Sequence, residues 1–273
     1  MADQHRKGTR FQALHQAAGV FVIANAWDGG SARILAGLGF QALATSSGAC
    51  AATLGRLDGK VTRDEALTHA RNIVAATDAP VSADLEQGFG DSPRIVAETV
   101  RLAADVGLVG CSIEDATGDQ GKPLYDMNQA VERVAAAVEA ARALSIPFTL
   151  TARSENYLRG NPDLDDTIRR LQAFEQVGAD VLFAPALPDL AAVRTVCGAL
   201  TKPVNFMVAI KGKSFSVAEL AAAGVRRISL ATSLYRVAMA GLMEAAVEVR
   251  DGGTFGFLDR ALTSAELAKY LQG

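Results

Sequence analysis

The chain has few cysteines, and they form no recognisable pattern. Cys50, Cys111 and Cys197 are odd in number and lie far apart among 273 residues. A disulfide framework needs paired cysteines and a structural zinc site needs clustered ones, so neither is expected. Reduced thiols in a cytoplasmic protein are the simplest interpretation.

Long apolar runs and excess positive charge are also missing. No stretch reaches the ~18 apolar residues that a membrane-spanning helix needs, and no apolar stretch follows the polar segment 1–10, as it would in a secretory signal. Lys and Arg number 27 against 30 Asp and Glu, a net charge of -3. We therefore expect a cytoplasmic protein that binds neither membranes nor nucleic acid.

What the sequence does contain is an alternation of short apolar runs with Ala-rich amphipathic stretches. Gly39, Gly107, Gly178 and Gly224 stand where the helices would end. Such alternation predicts parallel strands joined by helices. The apolar runs, about eight in all, lie near 20–24, 40–45, 80–84, 108–113, 147–151, 180–184, 203–208 and 226–230.

Eight strand–helix units predict the α/β class and one (β/α)8 TIM barrel spanning residues 1–273. An open doubly wound sheet is the alternative, but Asn25-Ala-Trp-Asp28 lacks the Gly-rich fingerprint expected after its first strand. Residues 254–273 are surplus to eight units and predict a connector and an extra C-terminal helix with Ser264 as N-cap. We expect this helix to pack on a neighbouring subunit.

Histidine and lysine are absent from the strand ends, where a barrel enzyme places its catalytic residues. His5, His15 and His69 fall on predicted helices, which argues against zinc ligation and against a histidine base. No predicted strand contains a lysine, so a Schiff-base mechanism is not expected.

Carboxylates, in contrast, follow two of the strands. Asp84 and Glu86 end the third run and Glu114 follows the fourth. Acids that converge on one barrel mouth repel each other unless a cation lies between them, and a set of oxygen ligands favours Mg²⁺ or Mn²⁺. Each acid taken singly is equally well explained as a solvated loop residue or a helix N-cap.

Groups suited to an anion also stand at strand ends. Thr45-Ser-Ser-Gly48 offers hydroxyls and backbone N–H groups at the start of a helix, although an ordinary N-cap has the same composition. Arg153 follows an apolar strand, where its guanidinium would either bind an anionic substrate or pair with Glu155 or Glu114. Trp27 suits packing as well as substrate contact.

In this order along the chain, the residues resemble the isocitrate lyase and phosphoenolpyruvate mutase superfamily, in its short mutase-like branch. The resemblance runs from Phe11 to Leu242. Any one motif could arise by chance, but together, at successive strand ends, they are specific. They are Asn25-Ala-Trp-Asp-Gly-Gly-Ser31, Ala44-Thr-Ser-Ser-Gly48 with Leu54-Gly55 and Asp58, Ser82-Ala-Asp-Leu-Glu-Gln-Gly-Phe-Gly-Asp91, Ile113-Glu-Asp115 and Thr151-Ala-Arg153.

The resemblance implies a Mg²⁺-dependent enzyme that stabilises an enolate or related oxyanion of a 2-oxo or 2-hydroxy acid. By position, Asp84 would bind the metal directly, and Asp58, Glu86 and Glu114 would hold it through waters. The residues that the match assigns to catalysis are Arg153, Glu114 and Asp58.

For the substrate, the resemblance implies that Ser46, Ser47 and Gly48 bind a carboxylate and that Arg153 binds its charge. Trp27 and Asn205 complete the predicted substrate-binding set. Such families are typically homo-oligomers, tetramers that swap a C-terminal helix between subunits.

Two departures from the family pattern bear on the reaction. The loop 116–125 is placed like the family's gating lid but lacks the Lys-Lys-Cys-Gly-His segment whose thiol serves isocitrate and methylisocitrate lyases. Pro185 stands in the region where phosphonate-forming mutases place a histidine. Both differences argue against those activities.

The sequence thus favours a Mg²⁺-dependent lyase or decarboxylase that cleaves a C–C bond of a small 2-oxo or 2-hydroxy di- or tricarboxylate through an enolate. Glu114, Tyr125 and Lys122 are the candidates for the proton-transfer residue, and Phe183 with Asn205 is expected to contact the substrate's tail. The alternatives are a phosphoenolpyruvate or carboxyphosphonate mutase, a phosphonopyruvate hydrolase, or a metabolite-binding barrel without catalysis.

Overall fold

A computed structural model describes residues 2–271 and contains a closed barrel of eight parallel strands, each paired with the next along the chain. The ring closes where β8 pairs with β1. The predicted (β/α)8 TIM barrel is therefore confirmed. The strands are β1 Phe21–Asn25, β2 Leu43–Ala44, β3 Val81–Asp84, β4 Gly110–Glu114, β5 Thr149–Arg153, β6 Val181–Phe183, β7 Val204–Met207 and β8 Arg227–Ser229.

Helices alternate with these strands and surround them. Among the described residues, no helix is both long enough and apolar enough to cross a lipid bilayer. The helices are α1 Ala2–Gln16, α2 Gly29–Gly37, α3 Ser47–Thr53, α4 Arg63–Ala75, α5 Pro93–Asp105, α6 Met127–Arg142, α7 Leu164–Gln176, α8 Leu190–Gly198, α9 Val217–Ala222, α10 Ser233–Val247 and α11 Ser264–Leu271.

Local sequence signals set the ends of these elements. Thr62 begins α4 with a capping box, in which its hydroxyl accepts from the Glu65 N–H while the Glu65 carboxylate accepts from the Thr62 N–H. All four glycines predicted to end helices have positive φ angles between 92° and 101°. The Phe40 N–H still bonds to the Leu35 carbonyl of α2, which is why β2 is shorter than the predicted run 40–45.

The two faces of the strands differ in chemistry. Residues that point outward, such as Leu150, Leu182 and Ile228, are apolar, buried and packed against the helices. Many residues that point inward are polar, whereas barrel interiors are commonly filled by branched apolar layers. This polar set lines an axial cavity and includes Asn25, Ser82, Asp84, Ser112, Arg153, Asn205, Arg227 and Ser229.

Helix α1, which contains His5 and His15 as predicted, lies at the N-terminal end of the barrel. Its Phe11 is fully buried and packs with Ile23, Ala42 and Val109. A Cβ added at Gly8 would lie 2.3 Å from the Pro147 carbonyl oxygen, so this helix needs glycine there to approach the barrel. The remaining α1 side chains are mostly polar, which is why the periodicity was weak.

Helix α10, which follows β8, differs from the helices of the earlier units. None of its described residues is buried. Its apolar side chains Val237, Leu242 and Met243 are 60–70% exposed. An exposed apolar set of this kind commonly marks a protein interface.

Helix α11 lies against α2, where Arg33 Nη1 donates to the Leu271 carbonyl at 2.8 Å. The predicted N-cap, Ser264, is wrong by one residue. Thr263 caps the helix instead, because its hydroxyl accepts from the Glu266 N–H and the Glu266 carboxylate accepts from the Thr263 N–H.

His15 is buried where α1 meets β8. Its ring lies edge-on to Phe11 and Phe21, with centroids 4.7 and 5.0 Å away. Nδ1 is 2.8 Å from the Phe11 carbonyl oxygen and Nε2 is 3.3 Å from Arg227 Nη1. A guanidinium can only donate, so Nε2 accepts and Nδ1 carries the proton of a neutral ring. Burial, followed by the charge of Arg227, lowers the pKa of His15 to about 3.

Replacing His15 with glutamine should weaken the acid sensitivity of the fold. Since the folded pKa of about 3 lies below the ordinary 6.5, only the unfolded chain takes up this proton as the pH falls below 6.5. The stabilisation is complete above pH 6.5 and is lost on the way down to pH 3. Between pH 6.5 and 5, the wild type should lose about 1–2 kcal/mol more free energy of unfolding than His15→Gln.

Urea titrations of both proteins at each pH measure this difference. His5→Gln, exposed on the same helix, should behave as the wild type does. Equal pH dependence in the wild type and His15→Gln would contradict the assignment.

Candidate active site

The carboxyl ends of the strands open into a cavity along the barrel axis, with a volume of about 50 Å³. Three of the predicted site residues line it: Asp84 from β3, Arg153 from β5 and Asn205 from β7. Phe183, predicted to contact the substrate's tail, lines it as well. The rest of the wall consists of the Arg227 guanidinium, hydroxyls, the Asn25 amide and apolar side chains.

Asp84 ends β3 and is held mainly by neutral groups. Its Oδ2 accepts from the Ser47 hydroxyl at 3.2 Å, and its Oδ1 accepts from the Ser112 hydroxyl at 3.3 Å. The nearest cation, Arg153 Nη1, lies 3.7 Å from Oδ2. The negative charge of Asp84 is thus only partly paired within the protein.

Arg153 is buried and surrounded by carboxylates. Its Nε donates to Glu155 and lies 3.5 Å from Glu114 Oε2, and its guanidinium carbon is 5.0 Å from the Phe183 ring centre. Burial opposes the charge, but Glu155, Glu114 and Asp84 outweigh it and raise the pKa of Arg153 above its usual range. The two interpretations of Arg153 are therefore compatible, because it forms ion pairs and also faces the cavity.

Glu114 lies behind Arg153, outside the cavity wall. Its Oε1 accepts from Arg159 Nη2 at 3.0 Å. Arg159 was not predicted; it lies four residues after Glu155, in a turn, and contacts that carboxylate as well, at 3.1 Å. Burial, then repulsion from Glu155, raises the pKa of Glu114. A buried carboxyl of this kind can hold a proton near neutral pH.

Glu86 and Asp58 flank Asp84. The Glu86 N–H donates to Asp84 Oδ1 at 3.3 Å, and burial, then the charges of Asp84 and Asp58, raises the pKa of Glu86 to about 7. Asp58 itself is exposed. Gly48 fits beside it because an added Cβ would lie 2.9 Å from Thr232 Cγ2 and 3.3 Å from Asp58 Oδ2.

The loop after β3 is anchored by Arg133 of α6, which no sequence signal distinguished from other charged helix residues. Its buried guanidinium donates to the carbonyls of Gln87, Gly90 and Asp91. The same group lies 4.1 Å above the Tyr125 ring. Arg133 therefore fixes the backbone that directly follows Glu86.

The two serines after β2 have different contacts. The Ser46 hydroxyl accepts from the Ala49 N–H and caps α3. The Ser47 hydroxyl and N–H face Asp84 instead. Binding of a substrate carboxylate by this segment stays a prediction.

Trp27 lies beside the cavity and not in its wall. Its ring meets Tyr235 of α10 edge to face, with centroids 5.7 Å apart, and its carbonyl lies 2.8 Å from His69 Nε2. These are packing contacts. Contact between Trp27 and a substrate stays a prediction.

The loop 116–125 folds back on itself, with Ala116 paired to Leu124. Lys122 is exposed and lies 3.2 Å from Asp126. The Tyr125 hydroxyl donates to Asp91 at 2.6 Å, and burial with this bond raises the pKa of Tyr125 to about 12. Lys122 and Tyr125 thus pair with Asp126 and Asp91, whereas Glu114 Oε2 lies 3.5 Å from Nε of Arg153, which lines the cavity. This contact favours Glu114 among the three proton-transfer candidates.

The charges around Asp84 suit a hard cation, since carboxylates outnumber guanidinium groups there by four to two. The groups are Asp84, Glu86, Glu114 and Glu155 against Arg153 and Arg159. Within residues 2–271, however, no three acidic, histidine or cysteine side chains converge on a point where they could all hold one ion. The donors therefore fit a cation bound directly by Asp84, with the other acids acting through water.

Comparison with known proteins identifies relatives along most of the chain. Residues 11–250 match the family model described as phosphoenolpyruvate phosphomutase. The 2-methylisocitrate lyase of Escherichia coli K12 is 30% identical over 242 residues, which cover 85% of this chain and 80% of that protein.

Two solved structures extend the likeness. A protein of Burkholderia cenocepacia J2315, described only as a lyase/mutase, is 49% identical with a TM-score of 0.97, covering 99% of this chain and 98% of that one. Oxaloacetate acetylhydrolase in complex with oxalate is 26% identical with a TM-score of 0.88, covering 97% and 93%.

These matches span the barrel and the strand ends that form its mouth, so the resemblance predicted from the motifs is confirmed. The chain belongs to the phosphoenolpyruvate phosphomutase family, within the phosphoenolpyruvate mutase/isocitrate lyase superfamily, and is an enzyme of this group of lyases and mutases.

Proposed function

We propose that the chain is a Mg²⁺-dependent lyase or decarboxylase that cleaves a C–C bond of a small 2-oxo or 2-hydroxy di- or tricarboxylate. The observation that carries this proposal is a partly paired carboxylate, Asp84, that shares a polar cavity with the buried guanidinium of Arg153. Relatives named 2-methylisocitrate lyase, 2,3-dimethylmalate lyase and oxaloacetate acetylhydrolase agree with a small carboxylic acid as substrate.

Asp84 would hold the Mg²⁺ directly, and Glu86, Glu114 and Asp58 would hold it through water; Mn²⁺ suits the same donors. Such an ion supplies a Lewis acid that polarises the substrate's oxygens.

Arg153 would stabilise the charge that develops as the bond breaks. In a 2-oxo acid, the C4 carboxylate would leave as CO2, and the electron pair of the cleaved C3–C4 bond would pass into an enolate whose negative charge collects on the C2 oxygen. In a 2-hydroxy acid, the C2 hydroxyl would lose its proton to water and C2 would become the carbonyl carbon of one product, while the electron pair of the cleaved C2–C3 bond would pass to C3 and its carboxylate. Because Glu155 and Glu114 already hold the guanidinium in place, it needs little rearrangement to face the C2 oxygen. We assign the proton that returns to the enolate carbon to Glu114, acting through water.

The proposal does not include cysteine-dependent cleavage of 2-methylisocitrate. The loop 116–125 contains no cysteine. Cys50 and Cys111 do not line the cavity, and burial raises the pKa of both thiols, that of Cys50 to about 11. We therefore infer a different small acid as substrate.

A phosphonate mutase or phosphonopyruvate hydrolase is the second candidate, favoured by the match to a family model named for phosphoenolpyruvate phosphomutase. Pro185 in place of a histidine weighs against it. Incubation of the protein and Mg²⁺ with oxaloacetate, substituted malates and phosphonopyruvate separates the candidates.

We expect proton NMR to detect a C–C cleavage product such as pyruvate or oxalate, and we expect no phosphate from phosphonopyruvate. Consumption of phosphonopyruvate alone would overturn the lyase proposal. Binding of these acids without any turnover would favour the non-catalytic barrel.

Removing the charge of Asp84 should abolish metal-dependent ligand binding. By calorimetry, the wild type should bind oxalate only when Mg²⁺ is present. The Asp84→Asn substitution should raise the Kd for oxalate in the presence of Mg²⁺ by at least about 100-fold, because the direct metal ligand is lost. Turnover should be lost in Asp84→Ala while the fold is retained. Asp105→Asn, exposed at the end of α5, is the matched control. Unchanged oxalate binding or unchanged activity in the Asp84 variants would refute this role.

We also propose that the protein is a homo-oligomer. The uncovered apolar side chains of α10 support this, together with Phe255, Leu258 and Leu262, which are 60–65% exposed in the segment that follows. A second copy that covered this face would bury them.

Leu242→Asp with Met243→Asp should therefore dissociate the assembly, because two charges would be buried in an apolar interface. Light scattering after size-exclusion chromatography should change from the mass of a dimer or tetramer to that of a monomer. Val217→Asp, an exposed apolar position on α9, is the control. A wild type that is already monomeric at micromolar concentration would disprove the proposal.

A further inference from the structure

A buried cation of the barrel interior has no part in the chemistry proposed above. Arg227 is the first residue of β8 and is 5% exposed. Its Nε donates to Asn205 Oδ1 at 2.8 Å and its Nη2 to the Thr151 hydroxyl at 3.0 Å, while Nη1 lies 3.3 Å from His15 Nε2. In the sequence it is the second of two consecutive arginines that begin the run 226–230.

The three partners of Arg227 are neutral. In the part of the chain that the structure describes, no carboxylate forms an ion pair with it, and burial alone lowers the pKa of Arg227 to about 9. A guanidinium has five N–H groups, and the three contacts use three of them. Two donors and a full positive charge therefore remain uncompensated in the barrel interior, which is costly.

Arg227 and Arg153 line the same cavity. Thr151 precedes Arg153 by two residues on β5, so the two inward side chains are about 6.6 Å apart along the strand. The hydrogen bond to Thr151 thus places Arg227 one layer deeper than Arg153. The hydroxyls of Ser82 and Ser229 belong to the same wall. The inner end of the cavity is therefore positive and rich in hydrogen-bond donors.

We propose that Arg227 anchors a second anion-binding site inside the barrel, which takes a singly charged group of carboxylate size. Its unused N–H groups donate to the anion. Two anions share this chemistry. One is the substrate carboxylate farthest from the metal, and its binding here rests on the proposed function. The other is a free small anion such as formate or nitrate, whose binding does not depend on the proposed function.

Melting temperatures measured without divalent cations test the site itself. Formate is titrated while gluconate keeps the ionic strength constant. At a formate concentration a hundredfold above Kd, the midpoint of thermal unfolding of the wild type should rise by about 5 °C or more. Arg227→Met should lose this response, and Arg226→Met, exposed one residue earlier, should keep it. No response in the wild type, or an equal response in Arg227→Met, overturns the proposal.

Calorimetry with Mg²⁺ distinguishes the two anions. If the substrate's far carboxylate occupies the site, the wild type should bind malate at least about tenfold tighter than lactate, and Arg227→Met should lose that preference while still binding oxalate. If Arg227→Met still prefers malate to lactate but no longer responds to formate, the site binds a free anion and not the substrate. If Mg²⁺ and oxalate fail to bind the wild type, the proposed function fails, and the formate titration still decides the site.

Arg227→Lys covers the case in which Arg227→Met does not fold. It keeps the charge but loses the planar fork of donors. We expect the Kd for formate to rise about tenfold. An unchanged Kd in Arg227→Lys would show that the guanidinium does not bind the anion.

Discussion

The ion pairs of Arg153 hold the mouth of this barrel together. A buried guanidinium is costly unless other groups compensate its charge. For Arg153 the compensation comes from Glu114, its register partner on β4, and from Glu155, two residues beyond the end of β5. Those acids are in turn buried, so Arg159 is needed as a second cation. Asp84 stands at the end of this network with the weakest pairing. Removing Arg153 would leave several buried charges uncompensated, so the network determines both where the carboxylates lie and which of them can accept another cation.

Charge is arranged in layers along the barrel axis. Acids outnumber bases around Asp84, whereas the layer below contains Arg227 with only neutral partners. A ligand that entered the cavity would meet an acidic rim suited to a metal and a positive floor suited to an anion. This order is possible because inward positions of parallel strands repeat every two residues, so one strand contributes to both layers, as β5 does with Thr151 and Arg153.

Sequence patterns predicted the barrel because eight apolar runs, each buried against helices, leave a strong periodic signal. They set no bounds for α1, which is mostly polar and is held by Phe11 and the close approach of Gly8. At the site, the rule that strand ends carry function found Asp84, Arg153 and Asn205. It could not find Arg133 or Arg159, since their contacts depend on loop conformation and on elements far apart in sequence. Trp27, Lys122 and Tyr125 follow strands in sequence too, but their loops turn them away from the cavity, and nothing in local composition encodes that turn.

The separation of the cavity into layers offers a reason why related barrels can catalyse different reactions. The Asp84 and Arg153 layer is fixed by strand geometry and by buried ion pairs, so changing it costs stability. The loop 116–125 is tied down at Ala116, Leu124 and Tyr125, while its tip is exposed and lacks buried contacts, so its sequence can vary without cost to the barrel. Residues of the inner layer such as Arg227 also lie apart from the metal-suited rim. Substrate choice can therefore change through the loop 116–125 and through the inner layer, while Arg153, to which we assign stabilisation of the oxyanion, stays in place.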